Sequence, residues 1–351
     1  MVEKDVPDSL MAGAQYDGRR KSALRLWSGW IALALVVLVV SVSACGVGTA
    51  GPTTPSATGK QTAAGGKKLA VVATTTIIGD LARNVAGDAA TVETLLPYGA
   101  DPHTFEPSPK DSQTLAGADV LLENGVGLEE WLAQLIKNSG TQAKAVVVSQ
   151  GLRLREGGED TEHSATPAAK DNHSHSDDPH LWLDVQNALQ YVANIRDALS
   201  AADPANAAVY RANAEAYLAQ LKDLDGYVVQ QAAVLPTERR KLVTSHDTLG
   251  YFAARYGFEV VGTVIPSVSA EAQPSAKDVA QLVDLINREG APAIFTESTV
   301  NPRLAQQIAQ DAGVKVVTDL YTDSLSRPGQ PADTYVKMMR YNIDQIVKAL
   351  K

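Results

Sequence analysis

From about Lys67 onward, short apolar runs alternate with longer segments whose apolar residues recur every three or four positions. The short runs are typical of buried strands, and the spacing of three and four is typical of helices that pack one face on a core. Eight runs predict strands, at residues 69–73, 91–96, 119–122, 145–149, 241–244, 259–263, 293–296 and 314–317. Because helical segments separate these runs, the pattern predicts parallel sheets built from βαβ units.

One helical segment is longer than the others and divides the eight predicted strands into two sets of four. It follows Asp203-Pro204, and apolar residues recur along it at Tyr210, Ala214, Tyr217, Leu221, Leu224 and Val228. No proline occurs before Pro236, so the pattern predicts a helix over residues 204–235, about 48 Å long at ~1.5 Å per residue. A helix that breaks near Gly226 is the alternative.

We therefore predict an α/β protein of two lobes, each a four-stranded parallel sheet flanked by helices, joined by one long interlobe helix. The N-terminal lobe is predicted over residues 67–203 and the C-terminal lobe over residues 236–351. Ser108 followed by Pro109 marks a helix start. Further helices are expected at residues 185–199, 248–256, 275–288, 302–312 and 334–350.

The first 66 residues differ in composition from the rest. Basic residues within 19–25 precede an apolar run over 27–40, and small residues then lead to Cys45. This order is typical of a secretion signal, and the run is shorter than the ~20 residues that span a bilayer. Residues 46–66 are rich in Gly, Thr, Ala, Ser and Pro, which predicts a flexible tether.

Val42-Ser43-Ala44-Cys45 resembles the bacterial lipobox. Residues 1–45 are therefore predicted to be a lipoprotein signal peptide, with Cys45 lipidated so that it attaches the protein to a membrane. An uncleaved anchor helix is the alternative. Both Met1 and Met11 remain candidate start residues.

Charge and cysteine content exclude several classes of function. The net charge of −9 and the isoelectric point near 5.2 argue against nucleic-acid binding, which needs a basic surface. The single cysteine excludes both an internal disulfide and a zinc site built from cysteines.

Four of the six histidines fall within one short stretch: His163, His173, His175 and His180. Neutral imidazole is the commonest protein ligand for transition metals. Residues 156–178 also carry seven acidic residues against one basic residue and almost no apolar ones, so we predict a mobile surface loop there. A solvated loop with incidental histidines is the alternative.

Three histidines and one aspartate follow predicted strands: His103, His180, His246 and Asp323. Ligands of open α/β sheets bind beyond the carboxyl ends of strands, so a metal is predicted between the lobes. Three imidazoles and one carboxylate suit Zn²⁺, or Mn²⁺ with a bidentate aspartate. Taken singly, each is equally compatible with a surface or turn residue.

Four motifs contain these residues. They are Gly99-Ala100-Asp101-Pro102-His103-Thr104-Phe105-Glu106-Pro107-Ser108-Pro109, Asp178-Pro179-His180-Leu181-Trp182-Leu183-Asp184, Thr244-Ser245-His246-Asp247 leading to Gly250-Tyr251-Phe252, and Thr322-Asp323-Ser324-Leu325 with the segment 335–342. In this order they resemble the signatures of the zinc- and manganese-binding solute-binding lipoproteins of bacterial ABC transporters. The resemblance covers about Lys67 to Lys351 and the lipobox.

The resemblance implies a metal held between two lobes by His103, His180, His246 and Asp323. Because some manganese binders carry a carboxylate at the third position, His246 favours Zn²⁺ as the cargo, with Mn²⁺ as the alternative. His163, His173 and His175 would then be a weak zinc collector outside the tight site. Asp184 is a candidate hydrogen-bond partner for a ligand.

The implied protein is a monomer on the extracytoplasmic face of the cell membrane, anchored through Cys45, with an ABC permease as its partner. It is not an enzyme: four protein ligands leave no open position for water, and no His-Glu-x-x-His pattern for a zinc hydrolase occurs. A surface adhesin is the other alternative. Metal affinity is expected to fall toward pH ~6.5 and below, because only neutral imidazole binds.

Overall fold

The computed structural model describes residues 67–157, 177–267 and 273–351. The predicted signal peptide with Cys45, the tether, and the loop histidines His163, His173 and His175 lie outside these residues. Within them, no helix is both long enough and apolar enough to cross a membrane.

The N-terminal lobe is a parallel sheet with strand order β2-β1-β3-β4. Its strands are β1 (Leu69–Ala73), β2 (Ala90–Thr94), β3 (Val120–Glu123) and β4 (Lys144–Val147). Its helices are α1 (Thr76–Ala86), α2 (Pro109–Ala116), α3 (Leu132–Ser139) and α4 (Val185–Ala202). Ser108 is the N-cap of α2 and forms a capping box with Asp111, as its position before a proline suggests.

The C-terminal lobe repeats the same order, β6-β5-β7-β8, and is also parallel throughout. Its strands are β5 (Lys241–Thr244), β6 (Glu259–Thr263), β7 (Ala293–Glu297) and β8 (Lys315–Leu320). Its helices are α6 (Gly250–Tyr256), α7 (Ala276–Glu289), α8 (Arg303–Ala312) and α9 (Tyr335–Leu350). The predicted fold class is confirmed.

The long helix, α5 (Ala207–Ala232), has 26 residues and continues through Gly226. At ~1.5 Å per residue it is about 39 Å long, shorter at both ends than predicted. At its start Pro204–Asn206 form a 3₁₀ turn, and Asp203 accepts hydrogen bonds from Asn206 and Tyr210. After its end, Val234 and Leu235 donate to carbonyls three residues back, so the chain leaves the helix before Pro236.

The largest apolar core contains buried side chains from both sheets and from α1, α4, α5 and α9. A second core lies between the C-terminal sheet and α7 and α8, and a third lies under α2 and α3. Because α5 and α9 pack against one another and share the first core, that core extends through both lobes. The site lies where the strands of both sheets end.

Candidate metal centre

The structure brings four predicted residues, His103, His180, His246 and Asp323, into one cluster, with a potential ligand atom of each within 4.8 Å of the others. His180, His246 and Asp323 are buried, whereas His103 is partly exposed. His103 is therefore the most exposed of the four residues.

The spacing of the donor atoms fits a small cation. His103 Nε2 lies 3.3 Å from His180 Nε2, and His180 Nε2 lies 3.6 Å from Asp323 Oδ1. His246 Nε2 lies 3.8 Å from Asp323 Oδ2. Tetrahedral zinc with bonds of ~2.0–2.2 Å would separate its ligand atoms by ~3.3–3.6 Å, which is close to these three distances.

Three buried atoms in the cluster lack a hydrogen-bond partner among the described residues: His246 Nδ1, His246 Nε2 and Asp323 Oδ1. Buried polar atoms in native proteins are nearly always satisfied, and those that are not call for an explanation. Coordination of a cation by His246 Nε2 and Asp323 Oδ1 would account for two of the three.

Asp178 orients the ring of His180. Its Oδ1 atom lies 2.8 Å from His180 Nδ1 and 2.9 Å from the His180 backbone nitrogen, and the residue is 1% exposed. Since a carboxylate can only accept, Nδ1 carries the proton, and the lone pair of Nε2 faces the cluster. Carboxylate partners of this kind fix metal-binding histidines and raise their basicity.

A second carboxylate, Glu297 at the end of β7, lies beside His246. Its Oε2 atom is 3.4 Å from His246 Nδ1, and the side chain is 4% exposed. The Ser245 hydroxyl donates to the same Oε2 atom, and the Glu297 backbone nitrogen donates to the Ser245 hydroxyl at 3.3 Å. Glu297 thus lies against His246 at ion-pair distance, without the hydrogen bond that Asp178 makes to His180.

His103 and His180 occupy the same local turn. Asp101 Oδ1 accepts from the His103 backbone nitrogen at 2.8 Å, just as Asp178 accepts from that of His180. Both are Asp-Pro-His tripeptides, in which the aspartate mimics a backbone turn and the proline restricts the intervening backbone. The recurrence of this tripeptide is a signal in the sequence that could have identified Asp178, which was predicted instead to end the loop.

Asn124, which follows β3, holds the His180 turn from behind. It is fully buried, its Nδ2 atom donates to the Pro179 carbonyl at 3.0 Å, and its Oδ1 atom accepts from the Tyr191 hydroxyl at 2.5 Å. Its backbone nitrogen donates to Glu129 at 2.8 Å. The peptide before His180 is therefore fixed from both sides, by Asn124 and by Asp178.

Burial and charge set the protonation of the cluster. Burial, strengthened by the neighbouring histidines, lowers the pKa of His103 to about 3 and that of His180 to about 3. Burial also acts to lower the pKa of His246, but the charges of Glu297 and Asp323 outweigh it and raise the pKa to about 9. Burial raises the pKa of Asp323 to about 7.

Two sequence expectations need correction. Asp184 does not contact a cluster histidine: it is the N-cap of α4, accepting from the Gln186 nitrogen at 2.8 Å, and lies 3.6 Å from Arg255. Asp178, predicted to end the mobile loop, is buried in the site because its carboxylate is needed by His180. The base of that loop is closed by an antiparallel bridge between Glu156 and Asp177.

Comparison with known proteins relates this arrangement to one family. Residues 71–349 match the family described as zinc-uptake complex component A, periplasmic (ZnuA). The chain is 35% identical over 320 residues to the manganese-binding lipoprotein MntA of Halalkalibacterium halodurans, covering 91% of this chain and 98% of that protein. It is 36% identical over 284 residues to the iron-binding protein YfeA of Yersinia pestis, covering 80% and 86%.

Among solved structures, the periplasmic zinc-binding protein TroA of Treponema pallidum matches with a TM-score of 0.71 and 32% identity, covering 81% of this chain and 99% of that one. The names of these relatives specify manganese, iron and zinc in turn, so metal binding is common to them and the particular metal is not. The resemblance found in the four motifs is confirmed: the chain belongs to the ZnuA family of metal-binding, substrate-binding proteins of ABC transporters, which are not enzymes.

Proposed function

We propose that this protein captures Zn²⁺ outside the cytoplasm through His103, His180, His246 and Asp323 and delivers it to an ABC permease. The observation that carries the proposal is the cluster itself: four donors within 4.8 Å, three of them on buried side chains. A closed set of four protein ligands suits capture, because catalytic zinc keeps a position open for water.

Zinc is proposed over manganese on the chemistry of the donors. Sites with nitrogen and oxygen donors bind Zn²⁺ more tightly than Mn²⁺, and imidazole-rich sites suit zinc whereas carboxylate-rich sites suit manganese. The Glu297 carboxylate lies beside Nδ1 of His246. The donor that faces the cluster is therefore the imidazole and not this carboxylate. Mn²⁺ remains the alternative cargo, supported by the similarity to the manganese-binding lipoprotein MntA.

Competition between the two metals tests this choice. Full-length protein is titrated with Zn²⁺ in the presence of excess Mn²⁺, and His246→Glu is compared with wild type. Wild type should prefer Zn²⁺, and the substitution should shift the preference toward Mn²⁺ because it adds a carboxylate. Preference of the wild type for Mn²⁺ would make manganese the cargo.

The remaining residues outside the described part of the chain have proposed roles as well. We propose that His163, His173 and His175 collect zinc weakly outside the tight site. We also propose that lipidated Cys45 anchors the monomeric protein to the outer face of the cell membrane. Replacing the three histidines together by alanine should leave the tight site intact while removing weaker binding.

Cys45→Ala should release the protein from the membrane fraction; its retention with normal lipid labelling would contradict the anchor.

A further inference from the structure

Asp323 lies in the connection between β8 and α9. Contacts within the C-terminal lobe hold this connection at Tyr321, before Asp323, and at Ser326, which exchanges hydrogen bonds with Ala332. Asn342 on α9 accepts from the Tyr321 nitrogen at 3.0 Å and donates to the Tyr321 carbonyl at 2.7 Å. On Asp323 itself, Oδ2 accepts from the Thr322 hydroxyl at 3.2 Å and from the Thr299 hydroxyl at 3.5 Å. The residues that flank Asp323 have further support.

That support comes from the N-terminal lobe. The Trp182 indole nitrogen donates to the Thr322 carbonyl at 2.7 Å, on one side of Asp323. On the other side, the Leu325 nitrogen donates to the Thr76 hydroxyl at 2.9 Å, and the Gly99 nitrogen donates to the Ser324 hydroxyl at 2.8 Å. Both neighbours of Asp323 are thus bonded to the opposite lobe.

The two hydroxyl groups complete each other's hydrogen bonding. Thr76 Oγ1 lies 3.3 Å from Ser324 Oγ, and Ser324 Oγ lies 3.1 Å from the Leu325 carbonyl. If Ser324 gives its proton to that carbonyl, Thr76 gives its own to Ser324 and accepts from the Leu325 nitrogen. Both side chains are 2% exposed, so water does not replace these bonds readily.

Thr76 itself is rigidly held. It is the first residue of α1, whose N-cap Thr75 accepts from the Ile78 nitrogen at 3.2 Å, and α1 packs against α4 and α5 in the main core. The Thr76 hydroxyl is therefore held by the N-terminal lobe, and its hydrogen bonds are to Ser324 and Leu325, which are not proposed ligands. Its partners belong to the segment that carries Asp323.

We propose that Thr76 is a positioning residue for Asp323 and forms, with Ser324, an interlobe latch. The latch holds the carboxylate of the C-terminal half against the histidines of the N-terminal lobe and slows release of the metal. This role rests on the proposed function, because it concerns the same cluster. Neither latch residue is a ligand, so both can be changed while all four donors remain.

The test measures Zn²⁺ dissociation from full-length protein into excess chelator, together with hydrogen–deuterium exchange of residues 321–326 in the metal-free state. The variants are Thr76→Val, which keeps the shape and removes the hydroxyl, Ser324→Ala, and the two combined. Thr91→Val is the matched control, because its hydroxyl donates to the Leu69 carbonyl at 3.3 Å in an exposed part of the same lobe.

Each single change should accelerate zinc dissociation by about five- to fifty-fold, the effect of leaving one buried hydrogen-bonding group without its partner. The double variant should be faster than either single variant but slower than the product of their effects predicts, because both lose the same hydroxyl pair. Exchange of the Leu325 amide should rise in Thr76→Val, and Thr91→Val should match wild type in both measurements.

Faster exchange with unchanged zinc dissociation would overturn the latch as a positioning device, and unchanged exchange would overturn the latch itself. A multiplicative double variant would also contradict it, since independent effects exclude a shared bond. If wild type binds neither Zn²⁺ nor Mn²⁺, the proposed function fails and the positioning role fails with it. The exchange measurement still decides separately whether Thr76 holds the segment.

Discussion

Removal of the Asp178 carboxylate should weaken zinc binding without unfolding the protein. Asp178 is the only described carboxylate within hydrogen-bond distance of His180 Nδ1, at 2.8 Å. Asp178→Ala leaves the His180 imidazole free to rotate and makes that imidazole a less basic ligand for the metal. Loss of such a partner lowers metal affinity by about 10- to 100-fold, or ~1.4–2.7 kcal/mol.

Asp178→Asn separates charge from orientation. The amide oxygen can still accept from both the backbone nitrogen and Nδ1 of His180, so the ring stays in place. The hydrogen bond to the backbone nitrogen is present both with and without metal, so its weakening does not change the affinity. Only the weakening of the hydrogen bond to the ring lowers the affinity for zinc. Exchanging a charged acceptor for a neutral one there costs about 1–1.5 kcal/mol, which is roughly a tenfold loss of affinity.

Asp184→Ala is the matched control on the other side of His180. Asp184 caps α4, so its loss should destabilise the metal-free protein by about 1 kcal/mol and leave zinc affinity unchanged. Zinc affinity is measured by competition with a chelator, and thermal unfolding is measured without metal. Wild-type affinity in Asp178→Ala, or an Asp178→Asn variant as weak as Asp178→Ala, would refute the reasoning.

Three further predictions follow from single contacts. Gly250→Ala should lower zinc affinity, because a Cβ atom there would lie 2.8 Å from Asp178 Oδ2 and displace that carboxylate. Asn124→Ala should raise the zinc dissociation rate by releasing the His180 turn, whereas Asn194→Ala, which removes side-chain bonds to the Val148 and Gln150 carbonyls, should not. Zinc affinity should rise by about tenfold per pH unit from about pH 7 to the His246 pKa of about 9, because the metal must displace that proton.

Each of these has a contradicting result. Wild-type affinity in Gly250→Ala would mean that Asp178 moves without cost, and equal rates in the two asparagine variants would remove the special role of Asn124. For the pH effect, calorimetry in buffers of different ionisation enthalpy should find about one proton released per zinc near pH 8. Binding that is independent of pH between about 7 and 9 would show that His246 is neutral before the metal arrives.

Local signals in the sequence were enough to predict the fold. β1, β5 and β6 have the predicted bounds, and Ser108, Ser275 and Thr334 act as N-caps where the pattern starts helices. Such features depend on residues near one another in the chain. The helix α3 (Leu132–Ser139) was not predicted. It is short, and the segment after β3 in which it begins mixes polar and apolar residues without a clear helical start signal.

The cluster was predicted from its motifs, whereas its supporting residues were not. Asp178 repeats a turn already visible at Asp101, but Glu297 is separated from His246 by 51 positions and Asn124 from Pro179 by 55. Their roles depend on which strand ends lie close together in the fold. The pattern of apolar residues does not specify this. The end of α5 was misplaced because Val234 and Leu235 are compatible with a helix, and only the hydrogen bonds show the turn.

X-ray absorption spectroscopy of the zinc-loaded full-length protein tests the four-residue site most directly. It should show four nitrogen or oxygen ligands at ~2.0–2.2 Å, with outer-shell scattering from three imidazoles and no sulfur ligand. His180→Ala should lose one imidazole from that spectrum. A shell of six oxygen ligands, or an unchanged imidazole signal in His180→Ala, would contradict a zinc site built from His103, His180, His246 and Asp323.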